Sequence, residues 1–387
     1  MEITEELFRQ NPWWEEEYSF DFKEREIYFN ILKKQLKRKD ITFIVGLRRV
    51  GKTTIFKMLI KYLLSIYSPK NILYITLDSY NLSDYSIHNI IEAYRKEHKL
   101  KRKEKIFVFL DEITYKKDFA QELKNIYDLE NIKVFASSSS SKLINDQKAY
   151  LTGRARTIEI LPLDFNEFLL FKNIKIEKSE RYLIDRYFED YLYYGGMPEY
   201  VLTEDINYIY SLLDDIIYKD IVVIHGLKDV RLVKDYFKIL MERSGKQLSL
   251  NKIAKIMNIS VDTARRYFSY FINAFLIYPI ERCGKLNERL RASKKIYAAD
   301  IGIRNMVTGF RDKGAIFENL VFLKIKGRNP CYVYRDGIEI DFKVDDTLIE
   351  VKYKMEMNEK QLDLFNKFNA KKKILIDSID DYLQFKI

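Results

Sequence analysis

Thiol and imidazole are scarce in this chain: Cys283 and Cys331 are its two cysteines, and it has three histidines across 387 residues. That scarcity keeps a disulfide framework out of view and suits a reducing interior. It also argues against a dedicated zinc site, which draws its ligands from cysteine and histidine. No apolar run approaches the roughly 18 residues that span a bilayer, so no membrane partner is expected. The opening MEITEELFRQNPWW is acidic and polar, unlike a secretory signal, and the expected location is cytoplasmic. Six prolines and 13 glycines, without low-complexity linkers or an evident repeat, speak for ordered packing.

What the chain has in plenty is charge. Lys and Arg exceed Asp and Glu to give a net +10, spread along the chain. Such a surface suits a polyanionic partner, because basic side chains displace counterions from a phosphate backbone. It equally suits a lysine-rich coding bias with solvated charges. Abundant Lys, Glu, Ile and Tyr with little Gln fits a thermophile or an AT-rich genome.

Length predicts two or three domains. In the first half, the apolar runs Ile41–Val45, Ile72–Leu77, Ile106–Leu110 and Ile132–Ala136 read as buried strands of a parallel sheet. Amphipathic segments beginning near Lys52, Ile87 and Phe119 read as the intervening helices. After Pro162 the pattern is mostly helical to about 285, broken at Gly195-Gly196-Met197-Pro198, and then mixed to the end. The expected divisions are 1–165, 166–226, 227–285 and 286–387.

Between the first strand and the first helix stands Gly46-Leu47-Arg48-Arg49-Val50-Gly51-Lys52-Thr53-Thr54, a GxxxxGKT loop in the strand-to-helix context that motif needs. Glycines let backbone N–H groups turn toward phosphate oxygens, helped by the helix N-terminus. Lys52 is expected to reach the β- and γ-phosphates of ATP, and Thr53 to ligate Mg²⁺. A second apolar strand ends on Asp111-Glu112, a Walker B arrangement. Asp111 would hold the magnesium through water and Glu112 would polarise the attacking water. The next strand runs into Ser137 to Ser141, where Ser137 or Ser138 can sense the γ-phosphate. Arg154, in Leu151-Thr152-Gly153-Arg154, is a candidate arginine finger, in cis or in trans from a neighbouring copy of a homo-oligomer, or an ordinary surface salt bridge.

These segments follow one another with Asn11-Pro12-Trp13-Trp14, Leu161-Pro162-Leu163-Asp164-Phe165-Asn166-Glu167-Phe168-Leu169, Tyr194-Gly195-Gly196-Met197-Pro198-Glu199 and Ile217-Tyr218-Lys219-Asp220-Ile221. In that order the chain resembles prokaryotic, mostly archaeal, AAA-type ATPases whose C-terminal region is a domain of unknown function. The resemblance implies an α/β fold with a P-loop ATPase domain, ATP and Mg²⁺ as ligands, and hydrolysis. This chain departs from the family in reading Ala-Ser-Ser before the sensor position, and Phe119 in place of Trp.

Two further patterns lie downstream. Residues 247–267 read as a helix, a turn at Met257–Ser260, and a second helix capped by Ser260 that presents Asp262, Thr263, Arg265 and Arg266 outward. With Phe275–Ile280 as a wing strand this would be a winged helix, and Arg265 and Arg266 its DNA contacts. A lid or protein-contact role is the alternative. Near the C-terminus, alternation in 337–344 puts Glu339 and Asp341 on one face, and 348–353 sets Glu350 beside Lys352. An upstream helix offers Glu318 and a downstream one Gln361. Glu, Asp, Glu-x-Lys in this order resembles the PD-(D/E)xK nucleases, particularly archaeal Holliday-junction resolvases, and implies a restriction-endonuclease-like α/β domain. There Glu318, Asp341 and Glu350 would hold Mg²⁺ or Mn²⁺ and Lys352 would position or activate water. A hairpin with one merely wet charged face is the plain alternative.

Overall fold

The parallel sheet expected from the apolar runs forms the centre of the first of two compact units, Met1–Ile160 and Leu161–Ile387. The structure is a computed structural model that describes residues 3–141, 144 and 148–386. In the first unit the strands are β1 (Ile41–Val45), β2 (Ile72–Thr76), β3 (Ile106–Asp111), β4 (Ile132–Ser138) and β5 (Ala155–Glu159). They lie in the order β2-β3-β4-β1-β5, all parallel. Helices cover both faces, so β1, β3 and β4 are buried along their whole length, which is why they are continuous apolar runs. β5 was not anticipated. It sits at the edge with a largely solvent-facing Ala-Arg-Thr-Ile-Glu sequence, and its burial is too slight to leave an apolar signature.

An open strand edge leaves peptide groups unpaired. At β2 the N-terminal segment supplies the missing partners with side chains. The Asn11 amide accepts from Tyr74 N–H at 2.6 Å and donates to the Tyr74 carbonyl at 2.8 Å; Gln10 accepts from Thr76 N–H, and the Trp14 indole donates to the Ile72 carbonyl. The Asn-Pro-Trp-Trp motif is thus an edge cover for the sheet.

In the second unit, Gly195 and Gly196 follow the helix Ile184–Tyr194 and lie against the segment that leads into the helix Phe165–Phe171. Gly196 N–H donates to buried Asp300, and its carbonyl accepts from Leu163 N–H. A Cβ on Gly196 would stand 2.3 Å from the Leu163 carbonyl oxygen. The two segments are therefore in direct backbone contact. Further on, helices Leu250–Met257 and Val261–Asn273 flank a short turn, with Asn258 in the left-handed region and Ser260 accepting from Thr263 N–H. Strands β6 (Lys246–Leu248), β7 (Ile277–Ile280) and β8 (Lys294–Ala298) form an antiparallel sheet in the order β6-β8-β7. The division expected at 285/286 falls between β7 and its partner β8.

The helix Lys313–Ile325 precedes β9 (Cys331–Arg335), β10 (Ile338–Val344) and β11 (Thr347–Val351); the helix Glu359–Lys367 and β12 (Lys372–Ile376) follow. The sheet order is β12-β11-β10-β9, with β12 parallel to β11 and the rest antiparallel. One expectation from composition is corrected here: Cys283 and Cys331 form a disulfide. Cys283 N–H donates to the Tyr332 carbonyl, so the segment after β7 runs beside β9 and brings the two Cα atoms to 5.1 Å. Among the described residues, no helix is long and apolar enough to cross a membrane.

Candidate functional site

Parallel strands put all their carboxyl ends on one rim, and that rim is where open α/β sheets bind ligands. The rim of the first unit carries the loop after β1, the acidic pair after β3 and the serines after β4. Gly46 has φ +146°, and a Cβ there would lie 2.4 Å from the Ile160 carbonyl oxygen. Gly51 has φ +99° and Arg49 φ +62°, so the loop curls through the left-handed region before the helix Lys52–Leu64 begins. Lys52 is buried, its ammonium donating to the Gly46 and Leu47 carbonyls at 3.0 and 3.1 Å. The Thr53 hydroxyl meets the Asp111 carboxylate at 2.5 Å.

The serine run divides its work. Ser137 bonds Asp111 with its hydroxyl and accepts from Glu112 N–H at 2.9 Å. Ser139 donates to the Glu112 carboxylate at 3.1 Å, whereas Ser138 donates to the Ser140 carbonyl. Glu112 adopts φ +53°, which turns its side chain away from the strand direction. Burial raises its carboxyl above the usual range, against the pull of Lys52. Lys52, Thr53, Asp111, Glu112 and Ser137 thus converge, and Ser138 stands beside them without touching either acid among the bonds described.

Three residues here had no sequence signal. Tyr74, on β2, donates to Asp111 at 3.0 Å, and burial and then that carboxylate push its phenol far up. Buried Arg25 donates to the Val50 carbonyl from just before the helix Glu26–Gln35. Ser139 was one serine among five.

Arg154 is elsewhere. It precedes β5, and its carbonyl pairs with Ile41 N–H at the start of β1, so the length of a strand separates it from the loop after Val45. Its guanidinium pairs with Asp128 at 3.0 Å. Of the three roles open for Arg154, this position speaks against the one in cis, because parallel pairing puts it on the opposite rim. Arg154→Ala should leave ATP turnover by the isolated chain within about twofold of the parent and cost less than about 1 kcal/mol, as exposed ion pairs do. A steady-state ATPase assay and a urea melt check both.

The second unit gathers the C-terminal carboxylates. Glu350 is fully buried and Asp341 nearly so, because the helix Lys313–Ile325 and the sheet β6-β8-β7 cover that face; Glu339 and Lys352 are half-buried. Asp341 accepts from Val351 N–H and Glu350 from Asp341 N–H, which locks β10 and β11 through their acids. Lys352 pairs with Glu350 at 2.7 Å, and Gln361 donates to Glu350 and to the Glu339 carbonyl. Burial, reinforced by Asp341, raises Glu318 to about 7 and Glu350 to about 8.

The metal ligand set expected there is not assembled. Among the described residues, Glu318, Asp341 and Glu350 do not bring one oxygen each within 4.8 Å of one another. Lys295 of β8 stands between them instead, 1% exposed. Its ammonium meets Glu318 at 2.7 Å, Glu339 at 2.6 Å and Asp341 at 3.0 Å. Tyr297 adds an O–H bond to Glu318 at 2.6 Å. Lys295 lies outside the Glu-Asp-Glu-x-Lys pattern, in a stretch reading only as Lys-Lys before an apolar strand, and no spacing rule points to it.

Arg265 and Arg266 are exposed on the helix Val261–Asn273, Arg265 paired with Asp262 at 2.8 Å and Arg266 donating to Thr263 at 3.3 Å.

The parallel sheet with its glycine loop, buried lysine and threonine–aspartate pair has the geometry of a P-loop nucleotide-binding site. Residues 38–169 match a family model described as an AAA domain, and residues 185–314 match one described as a domain of unknown function. An uncharacterized protein of Methanocaldococcus jannaschii is 29% identical over 365 residues, covering 88% of this chain and 80% of the relative. One from Haemophilus influenzae is 27% identical over 372 residues, covering 90% and 92%. The solved structure of a Walker-type ATPase of Pyrococcus abyssi overlaps 74% of this chain and 96% of its own, at 15% identity and a TM-score of 0.47.

Proposed function

We propose that this chain binds and hydrolyses ATP and works on or beside DNA. The observation that carries the hydrolysis is the meeting of Lys52, Thr53, Asp111, Glu112 and Ser137 on one sheet rim. Hard oxygen donors from Thr53 and Asp111, already in contact, fit magnesium. Those two residues would hold it, and it would offset phosphate charge. Lys52 exchanges its two loop carbonyls for the β- and γ-phosphate oxygens. Glu112 orients water for attack, and its raised carboxyl makes it a better base than a free glutamate. Ser137 fixes the spacing of Asp111 and Glu112, and Ser137 or Ser138 senses the γ-phosphate. Glu112→Gln is expected to keep ATP binding but lose about 10²-fold or more in turnover. Equal turnover in parent and variant, with binding intact, would refute the role of Glu112.

The DNA arm rests on the net charge of +10 and on two exposed arginines near the start of a helix that follows a tight turn, the presentation of a recognition helix in a winged helix. Replacing Arg265 and Arg266 together by alanine should weaken duplex binding about tenfold at low salt and flatten its salt dependence. No affinity of the parent for duplex, single-stranded or branched DNA at low salt, with or without ATP, would remove this arm.

The order of elements from the helix Lys313–Ile325 to β12, with acids at Asp341 and Glu350 and Lys352 beside them, supports a nuclease-like origin for the C-terminal part. One observation favours a second reading, in which that part is an inert module of a nucleotide-dependent protein-binding switch: Lys295 fills the space among the acids. Metal-dependent DNA nicking lost in Asp341→Ala would decide for cleavage.

A further inference from the structure

The carboxylate centre of the second unit holds four acids, Glu318, Glu339, Asp341 and Glu350, and two lysines. Lys352 serves Glu350 alone. Lys295 meets three acids, one per ammonium proton, and so has no donor left over. It reaches the centre from β8, in the sheet β6-β8-β7, whereas the acids it binds sit on the helix Lys313–Ile325 and on β10. Gln247 of β6 donates to the far oxygen of Glu339, so this acid is held from both sides by one sheet. Burial disfavours the ammonium, yet Glu318, Tyr297, Asp341 and Glu339 outweigh it and hold Lys295 well above its ordinary range.

A divalent ion and this ammonium compete for the same oxygens. Magnesium needs its oxygens at about 2.0–2.1 Å in an octahedron. Here the oxygens stand 2.6 to 3.0 Å from a nitrogen, arranged around a group whose departure would leave three carboxylates facing one another. The donor set does not fit a resident metal while Lys295 is in place.

We propose that the ammonium of Lys295 is the resident cation of this centre, standing where a nuclease-like site would carry its divalent metal, so that the resting chain excludes Mg²⁺ and Mn²⁺ there. The inference rests on the nuclease-like reading of the C-terminal part and deepens it: a lysine from a neighbouring sheet binds three of the acids and so joins the two sheets. No covalent step is implied.

The test titrates nucleotide-free full-length protein with Mn²⁺ and follows free Mn²⁺ by its electron paramagnetic resonance signal. The parent and Asp341→Asn should give the same curve. Lys295→Met should gain one site per chain, about tenfold or more tighter than anything the parent shows, and lose it in Lys295→Met/Asp341→Asn. A site in the parent that Asp341→Asn removes would overturn the proposal while favouring the nuclease-like reading. A folded Lys295→Met chain that gains no site would overturn the proposal together with that reading. If Lys295→Met does not fold, the parent and Asp341→Asn curves decide: coincidence supports the proposal and divergence overturns it.

Discussion

Lys52→Ala should abolish measurable ATP turnover, with a loss on the order of 10²–10³-fold or greater, and should weaken nucleotide binding as well. Lys52 is buried at the helix start, its ammonium held on two loop carbonyls within 3.1 Å. It therefore needs little reorganisation to meet phosphate oxygens, and a preorganised cation aimed at developing charge is worth about 2.7–4 kcal/mol where single donors have been removed. Alanine takes away the charge and leaves the Gly46 and Leu47 carbonyls facing each other across a gap. The fold should survive, because Lys52 opens a helix whose stability comes from Ile55, Phe56, Leu59 and Leu63 behind it. Turnover unchanged in a folded variant, measured by phosphate release, would sink the assignment of the nucleotide site.

Lys295→Met should be the most destabilising substitution of a single polar side chain in the second unit. It leaves Glu318, Glu339 and Asp341 within a few ångströms of one another without their shared cation. Removing one partner of a buried ionic group costs about 3–5 kcal/mol, because the remaining charges stay desolvated and unpaired. Part of that cost is relieved as Glu318, already raised to about 7 by burial and Asp341, takes a proton. The loss should therefore be smaller at acid pH. Glu318 in the variant stays protonated when folded but ionises when unfolded, so stability falls as pH rises through the interval above the ordinary glutamate value. Adding Mn²⁺ should return part of the loss by mass action if the ion takes the vacated place. Thermal melts of parent and variant at two pH values, with and without Mn²⁺, read all three effects. Equal melting temperatures for the two chains would deny Lys295 its place in the centre.

The AAA half was legible because its chemistry is local. The loop from Gly46 to Thr54 and the pair Asp111-Glu112 are each contiguous, and buried parallel strands announce themselves as apolar runs. The sheet then brings these segments together by a general rule, that parallel strands share a carboxyl rim. The same rule removed Arg154, whose motif position carried no information about which rim it occupies. β5 escaped notice for the converse reason: an edge strand with solvent-facing side chains has no apolar period to detect.

In the C-terminal half alternation in a hairpin marked Asp341, Glu350 and Lys352, and the resemblance to the nuclease pattern added Glu318 from the helix before it. The sequence did not determine what those faces meet. Asp341 lies between buried Ile340 and Phe342, so all three residues are covered, and the alternative of a merely wet charged face does not hold at Asp341 or Glu350. Lys295, Tyr74, Arg25 and the Cys283–Cys331 pair belong to the same class: each acts on a partner more than 20 residues away, through a contact that no short-range periodicity encodes. Contiguous motifs and periodic burial are properties of the chain taken a few residues at a time, and these the sequence determined by itself. Which cation neutralises a buried cluster of acids depends on which strand the fold lays beside it, and only the tertiary structure decided that.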